Sequence, residues 1–78
     1  MKVYVLVSEK YDSQYVGMSD NPERRLAEHN RGKVKSTKGK MPWRKIYEEE
    51  YETRVDARKR EVYLKSAAGR RFRKTLGD

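Results

Sequence analysis

No cysteine occurs in the chain, which excludes a disulfide framework and any zinc site built on thiolates. Histidine occurs once, so no cluster of imidazoles can hold a metal. Apolar and aromatic residues are also scarce, at 35% against 41% charged, a balance that leans toward disorder by composition alone. No run is long or apolar enough to span a membrane. The opening MKVYVLVSEK is too short for a signal peptide and lacks a small-residue cleavage site. A cytoplasmic protein with no membrane partner is the expectation.

Against the lean toward disorder stand six tyrosines, one tryptophan and several regularly patterned apolar segments. The 78 residues fit one domain, 1–78, with a thin core. A chain of this size buries only about 60% of the surface its unfolded form exposes. The net charge of +8 points to a polyanionic partner, nucleic acid first. An anionic membrane ranks second, because no segment has the strong apolar face of a membrane-surface helix.

Val3, Val5 and Val7 alternate with Tyr4 and Leu6, the rhythm of a strand. Tyr15-Val16-Gly17-Met18 reads as a second strand, joined to the first by a polar link as an antiparallel hairpin. Alternation sends the three valines, Val16 and Met18 to the core, and Tyr4 and Tyr15 to the opposite face. With a loop at 9–12, Tyr4 lies opposite Gly17 and diagonal to Tyr15. A glycine there leaves a gap beside a phenol, or room for a ligand to approach. Half-buried tyrosines with wet hydroxyls would equally need no function.

Asn21 suits an N-cap, Pro22 the first helical position and Glu23 the positive end of the dipole. With Gly32 as a stop, a helix is predicted at about 22–31. KVKSTKGKM is a basic loop and PWRKIYEEEY a third strand. Thr53, with Asp56 three positions on, caps a helix at about 54–66. Gly69 interrupts it, and RRFRKTL forms a short basic C-terminal helix. The order β-β-α-β-α-α gives an α+β domain with a small three-stranded antiparallel sheet flanked by helices.

Arg25 and His29 are four apart and project from one helix face. A guanidinium suits a phosphate, and the imidazole beside it can contact phosphate or move a proton. A solvated helix face with a capped end is the favoured reading of the pair taken alone. Ala57, Glu61 and Leu64 share a stripe of the second helix. A carboxylate leaning inward needs an arginine, a tyrosine hydroxyl or a metal, whereas an exposed i,i+4 pair with Lys65 needs none of these.

Lys33, Lys35, Lys38 and Lys40 in the loop, with Arg70, Arg71, Arg73 and Lys74 near the end, can track a phosphate backbone. Trp43, Tyr47 and Tyr51 repeat on one face of the third strand and could stack bases. A core role for Trp43 is the stronger reading in a domain with few large apolar residues. Glu48, Glu49 and Glu50 would repel nucleic acid, so they mark a face turned away from it or pair with local cations.

Taken together these residues resemble the GIY-YIG endonuclease family. Lys2-Val3-Tyr4 corresponds to its first motif and Tyr15-Val16-Gly17 to its second. Arg25 and His29 match its R-x-x-x-H, and Glu61 the glutamate of its later helix. The likeness covers nearly the whole chain, and is nearest to small stand-alone bacterial members and to the nuclease module of the excision-repair protein UvrC. It departs at Lys2, where the family usually has glycine, and in lacking a convincing match to a later asparagine of many larger members.

The resemblance implies phosphodiester hydrolysis with one divalent cation, Mg²⁺ or Mn²⁺, bound by Glu61. By the same resemblance Arg25 neutralises charge developing on phosphorus. One tyrosine, Tyr15 before Tyr4, takes or relays a proton from the attacking water. His29 contacts phosphate or partners in proton transfer. DNA that is branched, single-stranded or damaged is the expected substrate, ahead of RNA, in repair or recombination. A weakly catalytic or non-catalytic nucleic-acid-binding module, RNA-associated, is the alternative.

Overall fold

A computed structural model describes residues 1–76. The last two positions of the expected 1–78 domain lie outside the described residues. Strands β1 (Lys2–Ser8) and β2 (Gln14–Ser19) form the hairpin, followed by helix α1 (Pro22–Asn30), strand β3 (Trp43–Glu50) and helices α2 (Arg54–Lys65) and α3 (Ala67–Lys74). The sheet is antiparallel, in the order β2-β1-β3, and the element order is the one expected. The hairpin register places Tyr4 opposite Gly17 and Leu6 opposite Tyr15, as the alternation required.

The helix ends follow local chemistry. The Asn21 side chain accepts the Arg24 amide, and Thr53 accepts the Asp56 amide. After α1 the chain turns through Gly32 at φ +74°, a left-handed conformation that favours glycine.

The sheet is covered on both faces. On one, Val3, Val5 and Val16 pack against Ala57 and Leu64 of α2, with Met18, Ile46, Tyr47 and Phe72 around them. On the other, Tyr4, Leu6 and Trp43 pack with Tyr15, Leu26 of α1 and Met41. Val7, expected in the core, is only half-buried, because it sits near the hairpin end.

Three expectations need correction. The aromatic residues of β3 do not share a face. Pairing steps from Val5–Tyr47 to Leu6–Lys45, leaving Ile46 as an extra residue. This bulge reverses the alternation, so Tyr47 and Tyr51 join the α2/α3 side and Trp43 the α1 side. Trp43 is buried in the core, with its indole N–H donating to the Thr37 carbonyl at 2.9 Å, and is not placed to stack bases.

Gly69 does not interrupt a helix but lies within α3, and Ser66 makes the break. The Ser66 hydroxyl donates to the Tyr63 carbonyl at 2.5 Å and accepts the Gly69 amide at 3.2 Å, closing α2 and opening α3 at one residue. Arg73 is not a surface cation. It is buried, donating from Nε to the Leu64 carbonyl (2.8 Å) and from Nη1 to Gln14 (2.7 Å), so it ties α3 to α2 and β2.

The acidic run pairs locally. Glu48 holds Lys45 and Lys2, which gives Lys2 a partner across the sheet at 3.3 Å. Glu49 takes Arg60 in a two-pronged pair at 2.9 and 3.0 Å and accepts from the Tyr47 and Tyr51 hydroxyls.

Candidate active site

The α1 side of the sheet gathers four of the singled-out residues. Tyr4, from the central strand, and Tyr15, from its neighbour, have ring centroids 6.4 Å apart, and the His29 ring lies edge-on to Tyr15 at 4.7 Å. The Tyr4 hydroxyl is 3.3 Å from Nε2 of His29. Gly17 makes this possible. A Cβ there would stand 2.6 Å from the Tyr4 hydroxyl and 2.9 Å from the Tyr15 ring, closer than atoms can approach. Gly17→Ala is therefore expected to cost about 1–3 kcal/mol by overpacking. It should also break the Tyr4–His29 contact, read as a lower denaturant midpoint together with a changed His29 ring signal by NMR.

Tyr4 is 1% exposed and its pKa is raised, by burial first and then by Tyr15, with the Arg25 guanidinium pulling the other way. Glu61 adds to the rise, although α2 packs on the opposite face of the sheet. Arg25 is partly exposed, and donates to Glu28 at 2.6 Å. That bond raises the Arg25 pKa and lowers that of Glu28, so both stay charged.

His29 is completely buried and offers no surface to a phosphate. Burial, and then the charge of Arg25, hold its pKa below the ordinary 6.5. The unfolded chain thus takes up a proton that the folded chain refuses. This contribution to stability is fully present above about pH 6.5 and is lost as pH falls below it. The denaturant midpoint of the wild type should fall between pH 7 and pH 5, and a His29→Gln variant should show a flatter profile there.

Glu61 is 7% exposed. Its oxygens accept from Arg58 at 2.7 Å and Lys65 at 3.3 Å, so the i,i+4 pairing with Lys65 is present, but on a buried carboxylate. Among the described residues no three His, Cys, Asp or Glu cluster as metal ligands. A single carboxylate still fits Mg²⁺, which keeps most of its waters and takes one or two protein oxygens plus substrate phosphate. Arg58 and Lys65 are 64% and 50% exposed on long stems, free to swing clear of such an ion.

The loop cations Lys33, Lys35, Lys38 and Lys40 are all exposed, as are Arg70, Arg71 and Lys74. A cavity of about 720 Å³ lies between the hairpin loop and α3, lined by Arg44, Arg70, Arg73 and Lys74. Sequence reasoning overlooked Thr37. It is 1% exposed, and its hydroxyl meets Nδ1 of His29 at 2.8 Å. A threonine among loop lysines carries no local signal of that contact.

Comparison with known proteins places the chain in a family. The model of the GIY-YIG catalytic domain matches residues 1–75. A UPF0213 protein of Clostridium perfringens is 39% identical over 64 residues, covering 81% of this chain and 68% of that one. A UPF0213 protein of Natronomonas pharaonis is 34% identical over 77 residues, covering 97% and 89%. A Drosophila persimilis protein named structure-specific endonuclease subunit SLX1 homolog is 42% identical over 53 residues. That match covers 56% of this chain and only 18% of the longer protein. No solved structure matches. With the domain matched almost end to end, and two short relatives above 30% identity, this chain belongs to the GIY-YIG family.

Proposed function

We propose that this chain is an endonuclease that hydrolyses phosphodiester bonds in nucleic acid, DNA before RNA, with a single divalent cation held at Glu61. The observation that carries this reading is the packing of Tyr4, Tyr15 and His29 around Gly17, with Arg25 one turn before His29 on the same helix. Bound at Glu61, Mg²⁺ or Mn²⁺ would stabilise charge on the leaving oxygen.

The chain's own groups divide the remaining work. Arg25 binds the scissile phosphate and offsets its developing charge, exchanging its bond to Glu28 for the substrate. Tyr15 is the more accessible phenol and takes a proton from the attacking water as its own hydroxyl proton is passed on to solvent. Tyr4, buried and bonded to His29, orients that water or relays its proton. His29 acts through Tyr4, since its own ring cannot touch the substrate. The exposed loop lysines, with Arg70, Arg71 and Lys74, hold the phosphate backbone on either side.

A structure-specific substrate, branched, single-stranded or damaged, fits a distributed basic surface, and repair or recombination is the process it would serve. The likeness to a Drosophila protein named as a structure-specific endonuclease subunit supports that preference. A cytoplasmic setting completes the proposal. One observation favours a second reading, a nucleic-acid-binding module without catalysis: both Glu61 oxygens are already neutralised by cations of the same helix.

Incubation with single-stranded, duplex and branched DNA, and with RNA, separates the two. Cleavage that needs Mg²⁺ or Mn²⁺ and stops with EDTA supports the endonuclease. Salt-sensitive binding with no metal-dependent nicking establishes the binding module.

A further inference from the structure

Beneath the two tyrosines lies a buried hydrogen-bond chain that reaches from β1 through α1 into the basic loop. Tyr4, His29 and Thr37 are each no more than 1% exposed, so these groups have little to bond except one another. His29 meets the Tyr4 hydroxyl through Nε2 at 3.3 Å and the Thr37 hydroxyl through Nδ1 at 2.8 Å. A neutral imidazole has one N–H and one lone pair, and its partners decide which nitrogen holds which.

Thr37 supplies the deciding information. Its hydroxyl has one proton, which it donates to the Val34 carbonyl at 3.2 Å. Toward His29 it can then only accept, so Nδ1 carries the hydrogen. Nε2 is left with the lone pair and accepts from Tyr4. The phenol's proton therefore points inward, and its oxygen lone pairs face the Arg25 side.

Thr37 is well fixed for this task. Its amide donates to the Val34 carbonyl at 3.1 Å, and its own carbonyl accepts the Lys40 amide at 3.1 Å and the Trp43 indole at 2.9 Å. The two arms of the loop, with Lys33 and Lys35 before it and Lys38 and Lys40 after it, are thus anchored at the residue that touches His29.

We propose that Thr37 is a positioning residue that locks His29 in the Nδ1–H tautomer, so that Tyr4 presents its oxygen to the site as a hydrogen-bond acceptor. An acceptor there can take a proton from an attacking water while passing its own to Nε2 of His29, whereas a phenol that donates outward cannot. The catalytic consequence rests on the endonuclease reading, but the tautomer does not.

The single histidine makes the test direct. Protein labelled with ¹⁵N-histidine gives one imidazole in a long-range ¹H–¹⁵N spectrum, recorded near pH 7.5. The wild type should show a protonated Nδ1 and an unprotonated Nε2. Tyr4→Phe should keep that pattern, because Thr37 sets it. Thr37→Val, nearly the same shape without an acceptor, should move the proton toward Nε2, and Thr37→Ser should restore it. If metal-dependent cleavage is present, Thr37→Val should lower it about tenfold, the loss of roughly one hydrogen bond, with recovery in Thr37→Ser.

A wild-type Nε2–H tautomer overturns the proposal, as does a Thr37→Val spectrum unchanged from wild type. A tautomer that switches in Tyr4→Phe assigns control to Tyr4 and also overturns it. If Thr37→Val does not fold, the wild-type and Tyr4→Phe spectra still decide. Absence of cleavage by the wild type would count against the endonuclease reading alone, leaving the tautomer result to stand or fall by itself.

Discussion

Glu61→Gln should give a folded protein that binds nucleic acid and does not cut it. Glutamine has the same shape and keeps a carbonyl oxygen able to accept from Arg58 or Lys65. Only the charge is removed. Because those partners are 64% and 50% exposed, their ion pairs contribute at most about 1 kcal/mol, and Tm should move by no more than about 4–8 °C. The effect on chemistry is of another order. A neutral amide is a poor ligand for a hard cation, and losing one electrostatic stabiliser of a transition state lowers the rate by about 10²–10³-fold. Nicking of labelled DNA should fall accordingly, while binding by fluorescence anisotropy should hold or tighten, since a negative charge has been lost. Undiminished cleavage by rigorously purified Glu61→Gln would falsify the metal role assigned to this residue.

Gly69→Ala should be the most damaging single methyl addition to the fold. A Cβ at this position would stand 2.1 Å from the Tyr63 carbonyl oxygen and 2.4 Å from the Leu64 Cα. Both are backbone atoms of α2, so no side chain can rotate away to make room. Helix α3 must back off, which pulls Arg73 from the Leu64 carbonyl and from Gln14. A cost of about 3 kcal/mol or more is expected. That is a large share of the total for a domain this small, whose stability scales at about 0.05–0.15 kcal/mol per residue. The thermal midpoint should fall by about 12–24 °C. Gly39, with nothing within 4 Å, provides the control, and Gly39→Ala should stay within about 0.5 kcal/mol of wild type.

These two substitutions also differ in how visible their sites are in the sequence. Glu61 stands out by helical spacing between Ala57 and Leu64, and it is indeed buried along that stripe. Gly69 is visible only as a glycine, and the ordinary meaning of a glycine after a helix, a break, is the wrong one here. Its purpose is the close approach of two helices joined at Ser66, a contact without any period. The aromatic residues of β3 mislead for a related reason. An even spacing puts Trp43, Tyr47 and Tyr51 on one face only while the strand is regular, and the bulge at Ile46 changes the count by one.

What the sequence determined by itself is what short-range physics controls. Strand alternation and loop length fixed Tyr4 opposite Gly17. Asn21 and Thr53 fixed the helix starts, because a cap needs a partner only two or three residues away. The tertiary structure alone decided what those elements meet. It buried Arg73 against a glutamine 59 positions earlier, and joined Tyr4 to a histidine 25 positions later. It also placed Thr37 beneath that histidine. Such contacts depend on how layers stack and how a loop folds back, and neither leaves a repeating trace in the order of residues. The side chains proposed for catalysis are therefore legible as a set, while the hydrogen bonds that orient them exist only once the sheet is covered on both faces.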